Sequence, residues 1–154
     1  MADYYGDSSA LVKRHVVERG SAWFRALVAP AGLNRIITSR LSLVEVYSAL
    51  NRRRREASLT ALDYVDMSGE FTRLARTEYR ILELTGAIVE QARALLERHP
   101  LRAGDSVQLA SAMIADLALR NAALAPLTFL AADSNLLTAA RAEGLAVEDL
   151  NTYP

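Results

Sequence analysis

Apolar and polar residues repeat along the chain with two different periods, which predicts alternating strands and helices. Short β-branched or aromatic runs predict strands at Tyr4–Gly6, Arg35–Thr38, Tyr79–Leu84, Leu127–Ala131 and Ala146–Glu148. Longer runs of helix formers predict helices at Ser8–Val17, Ala22–Val28, Leu41–Arg55, Leu59–Glu78, Gly86–Arg98, Asp105–Leu119 and Ser134–Ala142, the second of them stopping near Pro30. Strands that alternate with helices over short connections predict an α/β fold with a mainly parallel sheet, covered by helices on both faces.

Composition limits the class of protein. A chain of 154 residues that is 51% hydrophobic has enough apolar material for one packed core, so we expect a single domain over residues 1–154. The absence of cysteine excludes disulfides, thiolate zinc sites and cysteine nucleophiles, and it fits a reducing cytosol. Because 18 basic residues balance 18 acidic ones, a generally basic surface for nucleic acid is not expected.

The sequence contains neither a leader-like N-terminus nor a long apolar run. The first residues do not combine a basic region with an apolar one, which disfavours a secretory signal. A membrane helix needs about 18 consecutive apolar residues, and none of the apolar runs is that long. We therefore expect a cytoplasmic protein without membrane contact.

Four acidic residues each lie at the end of an apolar strand-like run or within the apolar face of a helix, where an acid is unusual: Asp7, Glu45, Asp105 and Asp133. Asp7 and Asp133 follow predicted strands, and ligands of parallel sheets bind at the carboxyl ends of the strands. Glu45 and Asp105 share a helix face with apolar residues and are expected to point inward. If the four meet, their repulsion must be relieved by a cation or by raised pKa values. Such oxygen ligands suit Mg²⁺ or Mn²⁺, which predicts a metal-dependent hydrolase.

Each acid also has a purely structural interpretation. Asp7 and Asp133 are good helix N-caps. Glu45 fits a capping box that begins at Ser42, and Asp105 suits the positive end of a helix dipole. The residues are far apart in sequence, so only the tertiary structure decides whether they meet.

Four segments, taken in order, carry a family resemblance: Tyr4–Lys13, Thr38–Glu45, Leu101–Ala110 and Phe129–Asp133. Together they resemble PIN-domain proteins, and most of all the VapC-type toxins of bacterial toxin–antitoxin pairs. The resemblance implies a PIN-like three-layer α/β/α sandwich with a central sheet of four to five strands. It also implies an endoribonuclease that depends on Mg²⁺ or Mn²⁺ and leaves 5′-phosphate products.

The resemblance assigns roles to individual residues. The acidic quartet of the family maps onto Asp7, Glu45, Asp105 and Asp133 as metal ligands and catalytic residues, and its small hydroxyl residue maps onto Ser9. A small VapB-type antitoxin is the implied partner, with a C-terminal segment that wraps the toxin and blocks the acidic pocket. RNA is the implied substrate, and a homodimer is the implied assembly.

Basic residues near the acids are candidates for contact with RNA phosphates. Lys13 and Arg14 follow Asp7 by one to two helical turns, and both are expected to border the pocket. Arg102 precedes Asp105 by three residues, so contact with RNA and pairing with an acid are equally open. The run Arg52–Arg55 fits a solvated helix end or a patch that binds phosphate or the antitoxin.

Two glycines depart from the family pattern. Gly6 and Gly104 each precede one of the acids and replace larger residues, so we expect a wider pocket or looser placement of the acids. Two other functions stay open. One is a binding module of the same fold that holds metal weakly and acts in an autoregulatory DNA complex; the other is a different carboxylate phosphohydrolase on a parallel sheet.

Overall fold

Helices connect five short strands into one sheet. The computed structural model describes residues 1–29 and 33–154, so the predicted helix stop near Pro30 lies outside the described residues. The strands are β1 (Ala2–Gly6), β2 (Asn34–Ser39), β3 (Arg80–Leu82), β4 (Thr128–Ala131) and β5 (Ala146–Asp149). The helices are α1 (Ser8–Leu11), α2 (Ser21–Val28), α3 (Arg40–Arg55), α4 (Ala61–Thr77), α5 (Gly86–Arg98), α6 (Ala103–Asn121) and α7 (Ser134–Ala142). Single 3₁₀ turns follow α1 and β5, at Val12–Arg14 and Leu150–Thr152.

The sheet has the order β3-β2-β1-β4-β5, and all four pairings are parallel. Tyr5 in the central strand pairs with Ile37 on one side and with Phe129 on the other. The predicted α/β fold with a mainly parallel sheet of four to five strands is therefore confirmed. Because β1 is central, its carboxyl end lies between those of β2 and β4, where side chains from three connections can meet.

Side chains that alternate along the strands fill two cores, one on each face of the sheet. Tyr5, Ile37 and Phe129 pack with buried residues of α5, α6 and α7. Ile36 and Leu130 pack on the opposite face with α1, α2, α3 and α4. This alternation is what a strand buried on both faces requires, and it produces the three layers that the resemblance implies.

The segment after β1 differs from the prediction. A continuous helix over Ser8–Val17 is wrong, because the α-helix ends at Leu11 and tightens into the 3₁₀ turn. The Arg25 side chain of α2 donates to the carbonyl oxygens of Arg14 and Val16, and the Ser21 hydroxyl donates to that of Val16. These carbonyls are thus satisfied by side chains and need no further helical turn. The change of helix type redirects the side chains that follow Val12.

The remaining helices keep the predicted order with small shifts at their ends. α6 starts at Ala103, which places Asp105 in its first turn. Later in α6, Asp116 accepts from the backbone N–H of Leu127 at 3.0 Å and pairs with Arg120, so this acid fixes the approach to β4. Across residues 1–29 and 33–154, no helix combines the length and apolar character needed to cross a bilayer.

Candidate functional site

The four predicted acids lie at the carboxyl edge of the sheet. Asp7 directly follows β1, and Asp133 follows the neighbouring β4. Glu45 lies in α3, which leaves β2, while Asp105 lies in the first turn of α6. The charges of Glu45 and Asp105 raise the pKa of Asp7, the charge of Asp105 raises that of Glu45, and the charge of Asp133 raises that of Asp105. The fold therefore brings together all four acids that the sequence predicted.

Asp7 is the most buried of them, with 4% of its surface exposed. Its Oδ1 accepts from the backbone N–H of Ala10 at 3.0 Å and from the Ser9 hydroxyl at 2.6 Å, so the residue caps α1 as its structural interpretation predicts. Among the described residues, Oδ2 has no hydrogen-bond partner. Burial raises the pKa of Asp7 to about 7 against the opposing hydrogen bonds from Ser9 and Ala10, and the charges of Glu45 and Asp105 raise it further.

Ser9 joins the two strand ends that carry Asp7 and Asp133. Its hydroxyl donates to Asp7 Oδ1 and accepts from the backbone N–H of Ala132 at 2.9 Å. Ala132 directly precedes Asp133, whose Oδ1 caps α7 by accepting from the Leu136 N–H at 2.9 Å. Through these bonds, the orientation of one acid depends on the position of the loop that carries another.

Glu45 is held from α6 by Gln108, a residue that the sequence analysis did not single out. Gln108 Nε2 donates to Glu45 Oε1 at 2.6 Å. The capping box from Ser42 to Glu45 is wrong, because α3 starts earlier and is capped by Ser39. Burial raises the pKa of Glu45, the hydrogen bond from Gln108 opposes this, and the charge of Asp105 adds to it. In the sequence, the signal for Gln108 is a polar residue among apolar ones on a helix of the core.

Asp105 is half-buried and reaches the site from the first turn of α6. Burial raises the pKa of its carboxyl group, and the charge of Asp133 raises it further. Arg102 lowers that pKa through its backbone hydrogen bond and its positive charge. The acid is thus stabilised partly by the start of its own helix, as the dipole interpretation predicts, while it also faces another acid.

Both glycines noted in the sequence lie in close contact with their neighbours. A Cβ at Gly104 would lie 3.0 Å from Glu45 Oε2, so the missing side chain gives the glutamate its space. A Cβ at Gly6 would lie 3.0 Å from a methyl carbon of Leu11, which packs under the turn that carries Asp7. The expectation of a looser pocket is not what the contacts indicate: Gly104 permits close packing around Glu45.

A cleft of about 400 Å³ lies next to the acidic site, and Ser9 and Glu45 belong to its lining. Four basic residues contribute to its lining: Lys13, Arg52, Arg53 and Arg102. Glu18 pairs with two of them, because its carboxylate accepts from Lys13 Nζ at 3.1 Å and from Arg53 Nη2 at 2.9 Å. In the part of the chain that the structure describes, Arg52 and Arg102 form no salt bridge, so their charges are available to an anion in the cleft.

Arg14 does not border this cleft, so the expectation for its position is wrong. Its guanidinium donates to the Tyr79 hydroxyl at 3.3 Å and pairs with Glu78 at 2.8 Å. It lines a separate cavity next to Asn34 and Arg35, at the amino-terminal edge of the sheet. The 3₁₀ turn directs Lys13 toward the cleft and Arg14 away from it.

The donor set fits a divalent cation that keeps part of its water shell. None of the four acids forms a salt bridge with another described residue. Over residues 1–29 and 33–154, however, no three acidic or histidine side chains are arranged to enclose a metal ion. Mg²⁺ retains several waters and is commonly bound by one or two carboxylates together with substrate phosphates. The residues present therefore fit a hydrated Mg²⁺ or Mn²⁺ ion.

Known proteins share both the sequence pattern and the fold. The family model described as PIN domain matches residues 4–142. Ribonuclease VapC45 of Mycobacterium tuberculosis is 35% identical over 109 residues, which are 71% of this chain and 74% of that protein.

Two solved structures have the same fold. VapC20 of Mycobacterium tuberculosis, a Sarcin-Ricin loop cleaving toxin, superimposes with a TM-score of 0.63 at 21% identity, covering 98% of this chain and 99% of that one. A toxin–antitoxin complex from Klebsiella pneumoniae gives 0.61 at 19% identity, with coverages of 96% and 97%. The family match, which spans nearly all of the sheet and its helices, agrees with the residues that carry the resemblance, and the chain therefore belongs to the PIN domain family.

Proposed function

We propose that this protein is an endoribonuclease that uses Mg²⁺ or Mn²⁺ and acts as the toxin of a toxin–antitoxin pair. The observation that carries the proposal is the group of four carboxylates at one edge of the sheet, without a salt-bridge partner among the described residues, beside a cleft lined by Arg52 and Arg102. The 35% identity to a protein named as a ribonuclease supports the reaction class.

The acids would hold the metal, and the basic residues would hold the RNA. Asp7 Oδ2 accepts no hydrogen bond from a described residue, and Asp105 offers a half-exposed carboxylate, so these two are the first candidates for ligands, with Glu45 and Asp133 beside them. A bound divalent ion supplies Lewis acidity and a water of lowered pKa for attack on phosphorus. Arg52 and Arg102 would bind the phosphates on either side of the scissile bond.

The carboxylates of the site would also accept the proton that the attacking water loses. Asp7, with a pKa of about 7, is divided between its charged and neutral forms near neutral pH. Glu45 and Asp105 also have raised pKa values, so the group can accept a proton more readily than exposed acids. Ser9 keeps Asp7 Oδ1 engaged, which leaves Oδ2 for the metal or its water.

The proposed protein partner is a VapB-type antitoxin. The Klebsiella pneumoniae neighbour is a toxin–antitoxin complex of the same fold, which supports such a partner. The α3–α4 hairpin exposes Val44, Leu62 and Val65, so apolar surface is available for an amphipathic segment. A homodimer stays a prediction.

A second candidate is a binding module with little catalysis. It is favoured by one observation: in the described residues, no three ligating side chains already enclose an ion. The two functions differ in the response to metal. A nuclease requires that millimolar Mg²⁺ stabilise the protein, whereas a binding module without a metal site would melt at the same temperature with Mg²⁺ or with EDTA.

RNA cleavage tests the proposal. The purified protein should cut structured RNA in Mg²⁺ and stop in EDTA, and Asp7→Asn or Asp105→Asn should lose at least about a hundredfold of that activity, because each removes a charge at the metal site. Asp66→Asn is the matched control, since Asp66 is exposed on α4. Cleavage that persists in Asp7→Asn, or that is independent of divalent ions, would contradict the proposal.

A further inference from the structure

Gln108 connects the acidic site to the core through a side-chain amide whose nitrogen and oxygen are both hydrogen-bonded. The side chain is 1% exposed on α6, one turn after Asp105. Both of its N–H groups are engaged, because Nε2 donates to Glu45 Oε1 at 2.6 Å and to Ser42 Oγ at 2.9 Å. Its Oε1 accepts from the Tyr5 hydroxyl at 2.7 Å. We propose that Gln108 is a positioning residue that fixes the orientation of Glu45 toward the divalent ion, an inference that rests on the proposed function.

The direction of the amide follows from the groups around it. An ionised Glu45 carboxylate only accepts hydrogen bonds, so the amide must present Nε2 to it. Oε1 then points the opposite way and needs a donor, which the Tyr5 hydroxyl supplies. A reversed amide would set oxygen against oxygen at Glu45. The Tyr5 hydroxyl, together with the Ser42 hydroxyl at 3.3 Å, therefore stabilises the direction of the amide that Glu45 requires.

The anchored amide acts on Glu45 together with Gly104. Gln108 holds Oε1, while the missing Cβ at Gly104 leaves room for Oε2, which would lie only 3.0 Å from such an atom. One oxygen is thus fixed by a donor, and the other is directed toward the backbone next to Asp105. This arrangement limits the rotation of Glu45 and places its second oxygen beside the backbone that leads into Asp105.

Packing alone does not account for an amide at this position. Leu109, Ala110 and Ala112 beside it are buried and apolar. A buried amide must recover its desolvation cost through hydrogen bonds, whereas an apolar side chain of similar volume has no such cost. The bond to Glu45 is the one that extends to the acidic site, and groups that orient metal ligands typically contribute about 10–100-fold to metal affinity.

The test measures metal binding without RNA. Mn²⁺ is titrated into the full chain by isothermal calorimetry, for wild type, Gln108→Met and Tyr5→Phe. Gln108→Met keeps the volume and removes the bond to Glu45, and its Kd for Mn²⁺ should rise by about 10–100-fold. Tyr5→Phe keeps the amide but removes the hydroxyl that orients it, and its Kd should lie between those of wild type and Gln108→Met.

Gln91→Met is the control, because it is the same substitution on α5, where the Met113 sulfur, at 3.9 Å, is the one hydrogen-bond partner of Gln91 Nε2 among the described residues. It should bind Mn²⁺ as wild type does. Circular dichroism establishes that each variant is folded at the titration temperature, so a loss of affinity cannot be a loss of fold; if Gln108→Met does not fold, Tyr5→Phe decides.

The outcomes separate this inference from the proposed function. The positioning role is overturned if the folded Gln108→Met variant, or Tyr5→Phe in its place, binds Mn²⁺ with the wild-type Kd. The nuclease proposal stays intact in that case, because the wild-type protein still binds the metal. A wild-type protein that binds no Mn²⁺ overturns both.

Discussion

The Ser9 hydroxyl lies 2.6 Å from Asp7 Oδ1 and donates to it, while Ser9 Oγ itself accepts from the Ala132 N–H at 2.9 Å. One small side chain thereby links the ends of β1 and β4, the two strands that lead into Asp7 and Asp133. The link explains how acids on separate connections keep a defined spacing. It also makes Ser9 a residue whose loss should affect both stability and catalysis.

Replacing Ser9 by alanine removes both hydrogen bonds and leaves the Ala132 N–H without its partner. We expect a loss of about 1–3 kcal/mol in the free energy of unfolding, together with slower RNA cleavage, because Asp7 loses a fixed orientation. Urea denaturation and a cleavage assay measure the two effects. Ser68→Ala is the control, since among the described residues the Ser68 hydroxyl donates only to the Val65 carbonyl in its own helix. Equal behaviour of the two variants would contradict the role of Ser9.

Asp7 should make the metal-free protein less stable as the pH rises. The pKa of its carboxyl group is about 7 in the folded protein and 3.8 for an unperturbed aspartate, the value expected in the unfolded chain. Between about pH 4 and 7 the folded state holds a proton that the unfolded state lacks, so stability falls through this window and reaches a lower plateau above it. Asp7→Asn keeps the cap without the charge, since Asn also caps helices well.

In EDTA, Asp7→Asn should therefore melt several degrees higher than wild type at pH 8, a difference that reflects a few kcal/mol. The difference should shrink toward zero near pH 4. Thermal denaturation at the two pH values measures it, with Asp66→Asn as the control. If the Asn variant is no more stable at pH 8 than wild type, then burying the charged Asp7 carboxylate does not destabilise the folded protein.

The arginines of the cleft and Arg14 should behave differently toward RNA. Arg102 lines the cleft without a salt bridge among described residues, whereas Arg14 pairs with Glu78 and Tyr79 elsewhere. In an Asp7→Asn background that prevents cleavage, Arg102→Gln should weaken binding of single-stranded RNA and lower the slope of log K against log salt by about 0.7. Arg14→Gln should lower the melting temperature and leave the slope unchanged. Identical slopes for the two variants would argue against the cleft as the RNA site.

Gly104 and Gly69 offer a matched pair of substitutions. A Cβ at Gly104 would lie 3.0 Å from Glu45 Oε2, whereas one at Gly69 would meet nothing within 4 Å. Both lie in helices, where alanine is favoured over glycine by up to about 1 kcal/mol. Gly69→Ala should raise the melting temperature with unchanged cleavage. Gly104→Ala should displace Glu45 and reduce cleavage; full activity in this variant would contradict the close packing around Glu45.

Much of the site could be predicted from sequence because parallel strands end at one edge. Asp7 and Asp133 follow apolar strand runs, and that fact alone places them together once the sheet is parallel. Glu45 and Asp105 could be placed because apolar neighbours on their helix faces direct them inward. In each case the local period of the chain determines the direction of the side chain.

The missed and misplaced residues depended on tertiary contacts. In sequence, Gln108 is distinguished only by its apolar neighbours, and its role comes from Glu45 and Tyr5, which lie more than sixty residues away. The expected position of Arg14 depends on an α-helix that continues to Val17. The helix instead tightens into a 3₁₀ turn at Val12, because the Arg25 side chain of α2 donates hydrogen bonds to the carbonyl oxygens that follow. A contact between distant segments overrode the local pattern at both places.

The central claim, that the acids share a divalent ion, is tested most directly by locating that ion. Crystals of the full chain soaked in Mn²⁺ should give an anomalous difference peak beside Asp7 and Asp105, bound through their oxygens or through water. The peak should be absent in crystals of Asp7→Asn treated in the same way. A wild-type map without a peak at this edge of the sheet, at Mn²⁺ concentrations that support cleavage, would contradict the account.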